Sequence, residues 1–262
     1  MDVAWIGLGQ MGLPTSRKVA AAGHRVRAYD VAPPASDAAG GLELAASPRA
    51  AAEGCDLVCI AVFSDAQVTE VLSGPQGVLP VLRDGAIVAI FTTGSIESVQ
   101  EIAASAPPGV AILDTCFSRM QADIPTGMMT LLVGGDGAAI DRARPALDAF
   151  AREIIHVGKS GAGRAIKLVN NILFAGHLQL AADALRLAKG LGLDEQATAA
   201  ALCRCSGASD VMTRFATDDA STMLEIARRY MVKDVAAAAN AAASAGVELG
   251  ALGAVTDVYR HV

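Results

Sequence analysis

Two short segments of this 262-residue chain carry residue types and spacings that could do chemistry. The first is Gly7-Leu8-Gly9-Gln10-Met11-Gly12, which closes an apolar run. Between a strand and a helix, glycines at these intervals set a diphosphate on helix-terminal N–H groups. Gly7 would permit the tight turn, Gly9 the approach of backbone to phosphate, and Gly12 the close packing of helix on strand. Asp30 ends the next strand candidate, about 20 residues past the glycines, where a carboxylate accepts from a ribose 2′-OH and repels a 2′-phosphate. NAD is therefore expected as cofactor, in preference to NADP. A glycine turn with an unrelated surface aspartate is the plainer alternative.

The second segment is Gly161-Ala162-Gly163-Arg164-Ala165-Ile166-Lys167-Leu168-Val169-Asn170-Asn171. Lys167 and Asn171 stand four apart, so a helix would set them on one face with about 5–6 Å between Cβ atoms. A lysine there could exchange a proton with a substrate oxygen, provided burial or a neighbouring cation brings its pKa toward neutrality. A solvated lysine is the alternative. Against it stands the setting, a polar notch among Ile166, Leu168, Val169, Ile172 and Leu173. Gly161 and Gly163 are expected to let the chain pass close to a cofactor before the helix begins.

The elements that must position these groups are legible in the apolar pattern. Asp2 to Ile6, His24 to Tyr29, Leu57 to Val62, Ala86 to Phe91, Val110 to Leu113, Thr130 to Val133 and Ile154 to Val157 read as strands, and Leu13 to Ala22 as a helix. The last five of these strands are too continuously apolar for one-sided sheets and suit a mostly parallel sheet covered on both faces, a Rossmann-type α/β domain over residues 1–160. From Arg164 to Gly190 there is no proline and the apolar spacing is helical, and an Ala-rich helical domain is expected over 161–262. Its small residues would pack helices closely, against a second subunit as well.

The net charge of -6 gives no footprint for nucleic acid, and no Lys/Arg run or membrane-length apolar stretch marks a membrane partner. The chain opens on a strand with no leader pattern, so a cytoplasmic protein is expected. The cysteines Cys55, Cys59, Cys116, Cys203 and Cys205 are scattered and the histidines far apart, so neither a disulfide framework nor a metal site is expected. Cys116 as a nucleophile lacks a histidine at any motif-like distance, and a small buried thiol accounts for it.

Together the motifs resemble the β-hydroxyacid dehydrogenase family, relatives of 6-phosphogluconate dehydrogenase, over nearly the whole chain. Gly7 through Pro14, with Thr15 where Met is usual, and Gly23-His24-Arg25-Val26 meet its GLGxMGxPM and GHxV patterns. Gly161 to Asn171 meets GxGxxxKxxNN in full. The resemblance implies oxidation of a small β-hydroxyacid, or reduction of the matching semialdehyde, with Lys167 as acid/base and Asn171 orienting the substrate. It implies that Val62 to Ser64, including Phe63, line the adenosine side, that Thr93 contacts the cofactor, and that Lys233 of a Lys-Asp pair lies near the nicotinamide with Asp234 in support. A homodimer or homotetramer through the helical domain is implied as well.

The family's substrate signature, roughly DxPVSGGxxxAxxGxL, becomes Asp114-Thr115-Cys116-Phe117-Ser118-Arg119-Met120, with Gly127 at the later glycine. Ser118 keeps its place, while Arg119 and Met120 replace the paired glycines. Arg119 is expected to clamp an anionic substrate group through its planar five-donor fork; the alternative is an arginine pointing to solvent, which would leave Met120 and Phe117 as the pocket determinants instead. The chain ends soon after Tyr259, short of a tail many relatives carry, which implies either a dispensable tail or a more open pocket. Two rivals remain. Imine reductases share the architecture but usually replace the lysine, and a dinucleotide-binding sensor or scaffold would keep the fold without turnover.

Overall fold

A computed structural model describes the backbone of residues 1–119, 121–217 and 220–260, and the side chains of these apart from 36, 37, 122, 220–223, 225–230 and 260. Met120 lies outside the described residues. The chain divides into two compact units, Met1–Lys167 and Leu168–Val262.

In the first unit the order is β1 (Asp2–Ile6), α1 (Gly12–Ala21), β2 (Arg25–Tyr29), α2 (Ser36–Ala39), β3 (Glu43–Leu44), α3 (Pro48–Ala52), β4 (Leu57–Ile60), α4 (Asp65–Ser73), β5 (Ile87–Ile90), α5 (Ile96–Ser105), β6 (Ala111–Ser118), β7 (Met129–Gly134), α6 (Gly137–Leu147) and β8 (Ala151–Gly158). The strands form one sheet in the order β3-β2-β1-β4-β5-β6-β7-β8. All neighbouring pairs are parallel except β6 with β7. A parallel pair needs a crossover of a dozen or more residues, and residues 119–128 between these two strands are too few for one.

The continuous apolar character of the central strands has the expected cause, whereas the edge strand β8 is largely unburied, since it has a neighbour on one side alone. Val3 and Trp5 of β1 face a cluster with Phe91, Phe117 and Phe150, while Ala4 and Ile6 face a second cluster with Ile60, Val68, Ile90 and Val99. Trp5 is fully buried and stacks on Phe91 with centroids 5.4 Å apart. β6 runs on through Asp114 to Ser118, past the expected end at Leu113, because the Asp114 carboxylate finds its partners inside the protein. The two-residue β3, too short to show a period, was not anticipated by the pattern.

The long helix α7 (Ala162–Gly190) starts in the first unit and continues into the second, followed by α8 (Glu195–Leu202), α9 (Asp210–Thr217), α10 (Ala220–Ser244) and α11 (Leu252–Arg260). Leu178, Ala181 and Leu185 of α7 pack with Ala199 of α8 and with Val211, Met212 and Phe215 of α9. Gly176 brings α7 close to α11, where a Cβ would lie 3.3 Å from Val255 Cγ2. No described helix is long and apolar enough to cross a membrane.

Candidate active site

The glycine turn follows β1 as its spacing predicts. Gly7 has φ +97°, and a Cβ there would run into the Ala61 carbonyl, so the position is closed to L side chains by conformation and by space. A Cβ on Gly12 would strike the Gly7 carbonyl and come within 3.0 Å of Trp5 Nε1, which is the close helix–strand contact expected. Gly9 differs from both, since a Cβ on it would meet nothing within 4 Å. The turn thus offers open space at its centre. Ser47, Ser64, Ser95, Asp136 and Asp194 cap α3, α4, α5, α6 and α8, whereas Met11 gives α1 no side-chain cap, so the positive end of the helix dipole meets no acceptor from its own cap residue. A diphosphate fits that cradle.

Asp30 closes β2 beside it. Its Oδ2 accepts from Leu8 N at 2.6 Å and its Oδ1 from Ala32 N at 2.8 Å, so the carboxylate braces the glycine turn. A carboxylate has about four lone-pair sites, so this one could accept from hydroxyl groups as well.

Strand register brings the second motif to the same edge. Ile6 pairs with Ile60, Ile60 with Ile90, and Ile90 with Asp114, so Asp114 is level with the residue that precedes Gly7. Asp114 is fully buried, and its carboxylate accepts from Gly161 N at 3.0 Å and Arg164 N at 2.8 Å. Burial raises its pKa above the ordinary aspartate value, against the opposing pull of those N–H groups. The first turn of α7, and with it half-buried Lys167, is thereby pinned to the sheet edge where α1 begins. The motif glycines leave room for this pin. A Cβ on Gly163 would lie 2.5 Å from the Asp114 carbonyl oxygen and 2.8 Å from that of Leu132, and one on Gly161 2.9 Å from Gln100 Nε2.

Two family models divide the chain between them. The one described as the NAD binding domain of 6-phosphogluconate dehydrogenase matches residues 2–158, and the one described as NAD-binding of NADP-dependent 3-hydroxyisobutyrate dehydrogenase matches residues 161–262. The chain belongs to the β-hydroxyacid dehydrogenase family. It is 34% identical to an NAD-dependent L-serine dehydrogenase of Pseudomonas aeruginosa over 79% of this chain and 70% of that one. A solved 3-hydroxyisobutyrate dehydrogenase of Mycobacterium tuberculosis with L-serine superposes with a TM-score of 0.85 at 28% identity, covering 98% of this chain and 92% of that one. An imine reductase of Streptomyces aurantiacus, at 20% identity over 99% of this chain and 93% of that one, with a TM-score of 0.69, shares the fold alone. The protein is an NAD-linked oxidoreductase of this family.

In this dehydrogenase the loops after β4 and β5 are tied together by a residue the sequence did not single out. Thr92 Oγ1 donates to the Val62 carbonyl at 2.8 Å and accepts from Val62 N at 3.2 Å, which sets Val62 beside the segment carrying half-buried Thr93. Phe63 is largely in solvent, 77% exposed, an apolar plate on the loop after β4. The only described non-glycine residue with positive φ is Arg119, at +94°, and it is exposed, beside half-buried Ser118. Arg119 thus keeps a backbone conformation that glycine favours, although the glycine of the family pattern is gone. Lys18 of α1 reaches the same loop, donating to the Pro125 carbonyl at 2.6 Å.

In the second unit Asn171 is buried and its Nδ2 donates to Asp234 Oδ2 at 2.6 Å, while its Oδ1 accepts from Asn170 Nδ2 at 3.1 Å. The asparagine therefore clasps α7 to α10, and the exposed Lys233 is carried on that clasp. Asp114 was visible as the opening residue of the substrate signature but not as a helix pin, and Thr92 was visible only as a hydroxyl beside Thr93 at the end of an apolar run.

Proposed function

We propose that the chain oxidises the hydroxyl of a small β-hydroxyacid, or reduces the matching semialdehyde, with Lys167 as the general acid/base. The observation that carries this reading is the shared sheet edge, where the glycine turn after Ile6 and the Asp114 pin under the first turn of α7 stand level. NAD, when bound on Gly7 to Gly12 with Asp30 at its ribose, supplies the hydride acceptor, and its reduced form the donor. Val62, Phe63, Thr93 and Lys233 complete the cofactor-binding set. In oxidation the neutral Lys167 amine takes the proton from the substrate oxygen, and in reduction the ammonium returns it. Ser118 and Arg119 receive the anionic end of the substrate. Asn171 holds the substrate side of α7 in place through its clasp on Asp234.

Two further parts of the reading have their own support. Ile166, Leu173, Leu180 and Leu187 recur every seven residues along α7 and are all exposed, a seam suited to a second copy of the chain in a homodimer or homotetramer. Cys55, Cys59 and Cys116 are buried as small apolar residues, which suits the reduced thiols of a cytoplasmic protein.

The test is turnover of small hydroxyacids, beginning with L-serine and 3-hydroxyisobutyrate, and of their semialdehydes, with NAD and NADP compared. NAD-linked turnover that falls about 10²–10⁴-fold in Lys167→Ala, with NAD still bound, is the expected result. NAD binding without turnover of any hydroxyacid would support the sensor, and reduction of cyclic imines instead would support the imine reductase.

A further inference from the structure

Arg164 is an arginine with no contact to water, placed three residues before Lys167 and so nearly one helical turn ahead of it. Its Nη1 donates to Asp65 Oδ1 at 2.9 Å and to the Ser95 carbonyl at 2.6 Å. The other oxygen of Asp65 accepts from Ser95 N at 2.8 Å. Gly94 packs so tightly on this group that a Cβ would overlap the Asp65 carboxylate. The backbone N–H of Arg164 goes to Asp114. One residue therefore joins the start of α4, the cap of α5, the middle of β6 and the first turn of α7.

Hydrophobic burial does not explain the choice. A buried ion pair loses its hydration, and well-packed apolar residues in its place are often neutral or stabilising. Here the cost is compounded, because Nε and Nη2 of Arg164 are buried with no hydrogen-bond partner among the described residues. What the pair supplies is direction. Apolar contacts tolerate small rotations of a helix, whereas a charge-assisted bond to two fixed acceptors does not. Slipping α7 by one residue would swing Lys167 by about 100° around the helix axis.

We infer that Arg164 and Asp65 are positioning residues for Lys167, locking the rotation of α7 against the loops after β4 and β5. The inference rests on the assignment of Lys167 as the acid/base. It also gives the unusual burial a role at the same site, since those two loops carry Val62, Phe63 and Thr93.

The experiment is a double-mutant cycle in the full chain, with kcat, substrate KM and NAD Kd by calorimetry measured for each protein and the fold checked by circular dichroism. Arg164→Gln and Asp65→Asn should each lower kcat about 10–100-fold, the scale of a small misplacement, and leave NAD Kd within about threefold. Arg164→Lys should recover part of the loss. In a Lys167→Ala background Arg164→Gln should add less than about a twofold further loss, because a positioning residue has nothing left to position. Asp65→Asn carries the same cycle if Arg164→Gln does not fold, since Asp65 is partly exposed. An equal loss in both backgrounds would overturn the inference, as would a loss confined to NAD Kd. Unchanged turnover in Lys167→Ala alone would overturn the proposed function, and this inference with it.

Discussion

At the scale of single residues, the chemistry of this protein is set by where charges are allowed to be buried. Asp114 is held inside the sheet by two backbone N–H groups, yet burial still raises its pKa. The folded protein accordingly takes up that proton before the unfolded chain does. As pH falls through the raised folded value toward the ordinary aspartate value, the group adds stability, and above that window it subtracts. Removing the titration by Asp114→Asn should make the loss of stability between about pH 7 and about pH 4 steeper than in the wild type, measured by urea unfolding across that range. Arg119 is the opposite case, an exposed cation on a backbone that costs energy, with φ of +94°. Relieving the conformation with Arg119→Gly should stabilise the fold by about 1 kcal/mol, while Arg119→Ala should not. Both should raise KM for carboxylate substrates about tenfold or more if the guanidinium clamps the substrate, and an unchanged KM would return the role to Ser118 and its neighbours.

At the scale of elements, the same substitution should have opposite consequences at two motif glycines. Gly163→Ala drives a Cβ into two backbone carbonyls that cannot move aside, so a loss of about 1–3 kcal/mol in urea unfolding is expected, with a fall in kcat as the first turn of α7 shifts. Gly9→Ala meets nothing within 4 Å, so the fold should be unaffected while NAD Kd rises about tenfold or more. Much of this level was legible from the sequence. Continuous apolar runs marked five of the strands, the strand candidates around the glycine motif two more, the proline-free stretch marked α7, and the glycine spacing marked the turn. What was not legible depends on partners distant along the chain. Asp114 caps a helix 47 and 50 residues away, and Arg164 pairs with Asp65 across 99, so no local pattern contains either. The glycines of GxGxxxK were visible, but that they make room for Asp114 and Gln100 could not be seen until the segments were placed together.

At the scale of the whole molecule, the exposed seam on α7 makes the strongest demand, because an isolated chain would leave it in water. Leu180→Glu with Leu187→Glu should convert an oligomer into a smaller species in sedimentation equilibrium, and a wild type that already sediments as a single copy would remove the basis for that surface. The core beneath the glycine turn has a consequence of another kind. Trp5 is the single tryptophan of the chain, buried in β1 with its indole nitrogen against Gly12. The protein's tryptophan emission therefore comes from one dry position under the glycine turn. Reduced nicotinamide absorbs where tryptophan emits, so energy transfer from this lone donor would report occupancy of the fold directly, without a label and without turnover, in the wild type and in every variant that leaves Trp5 in place.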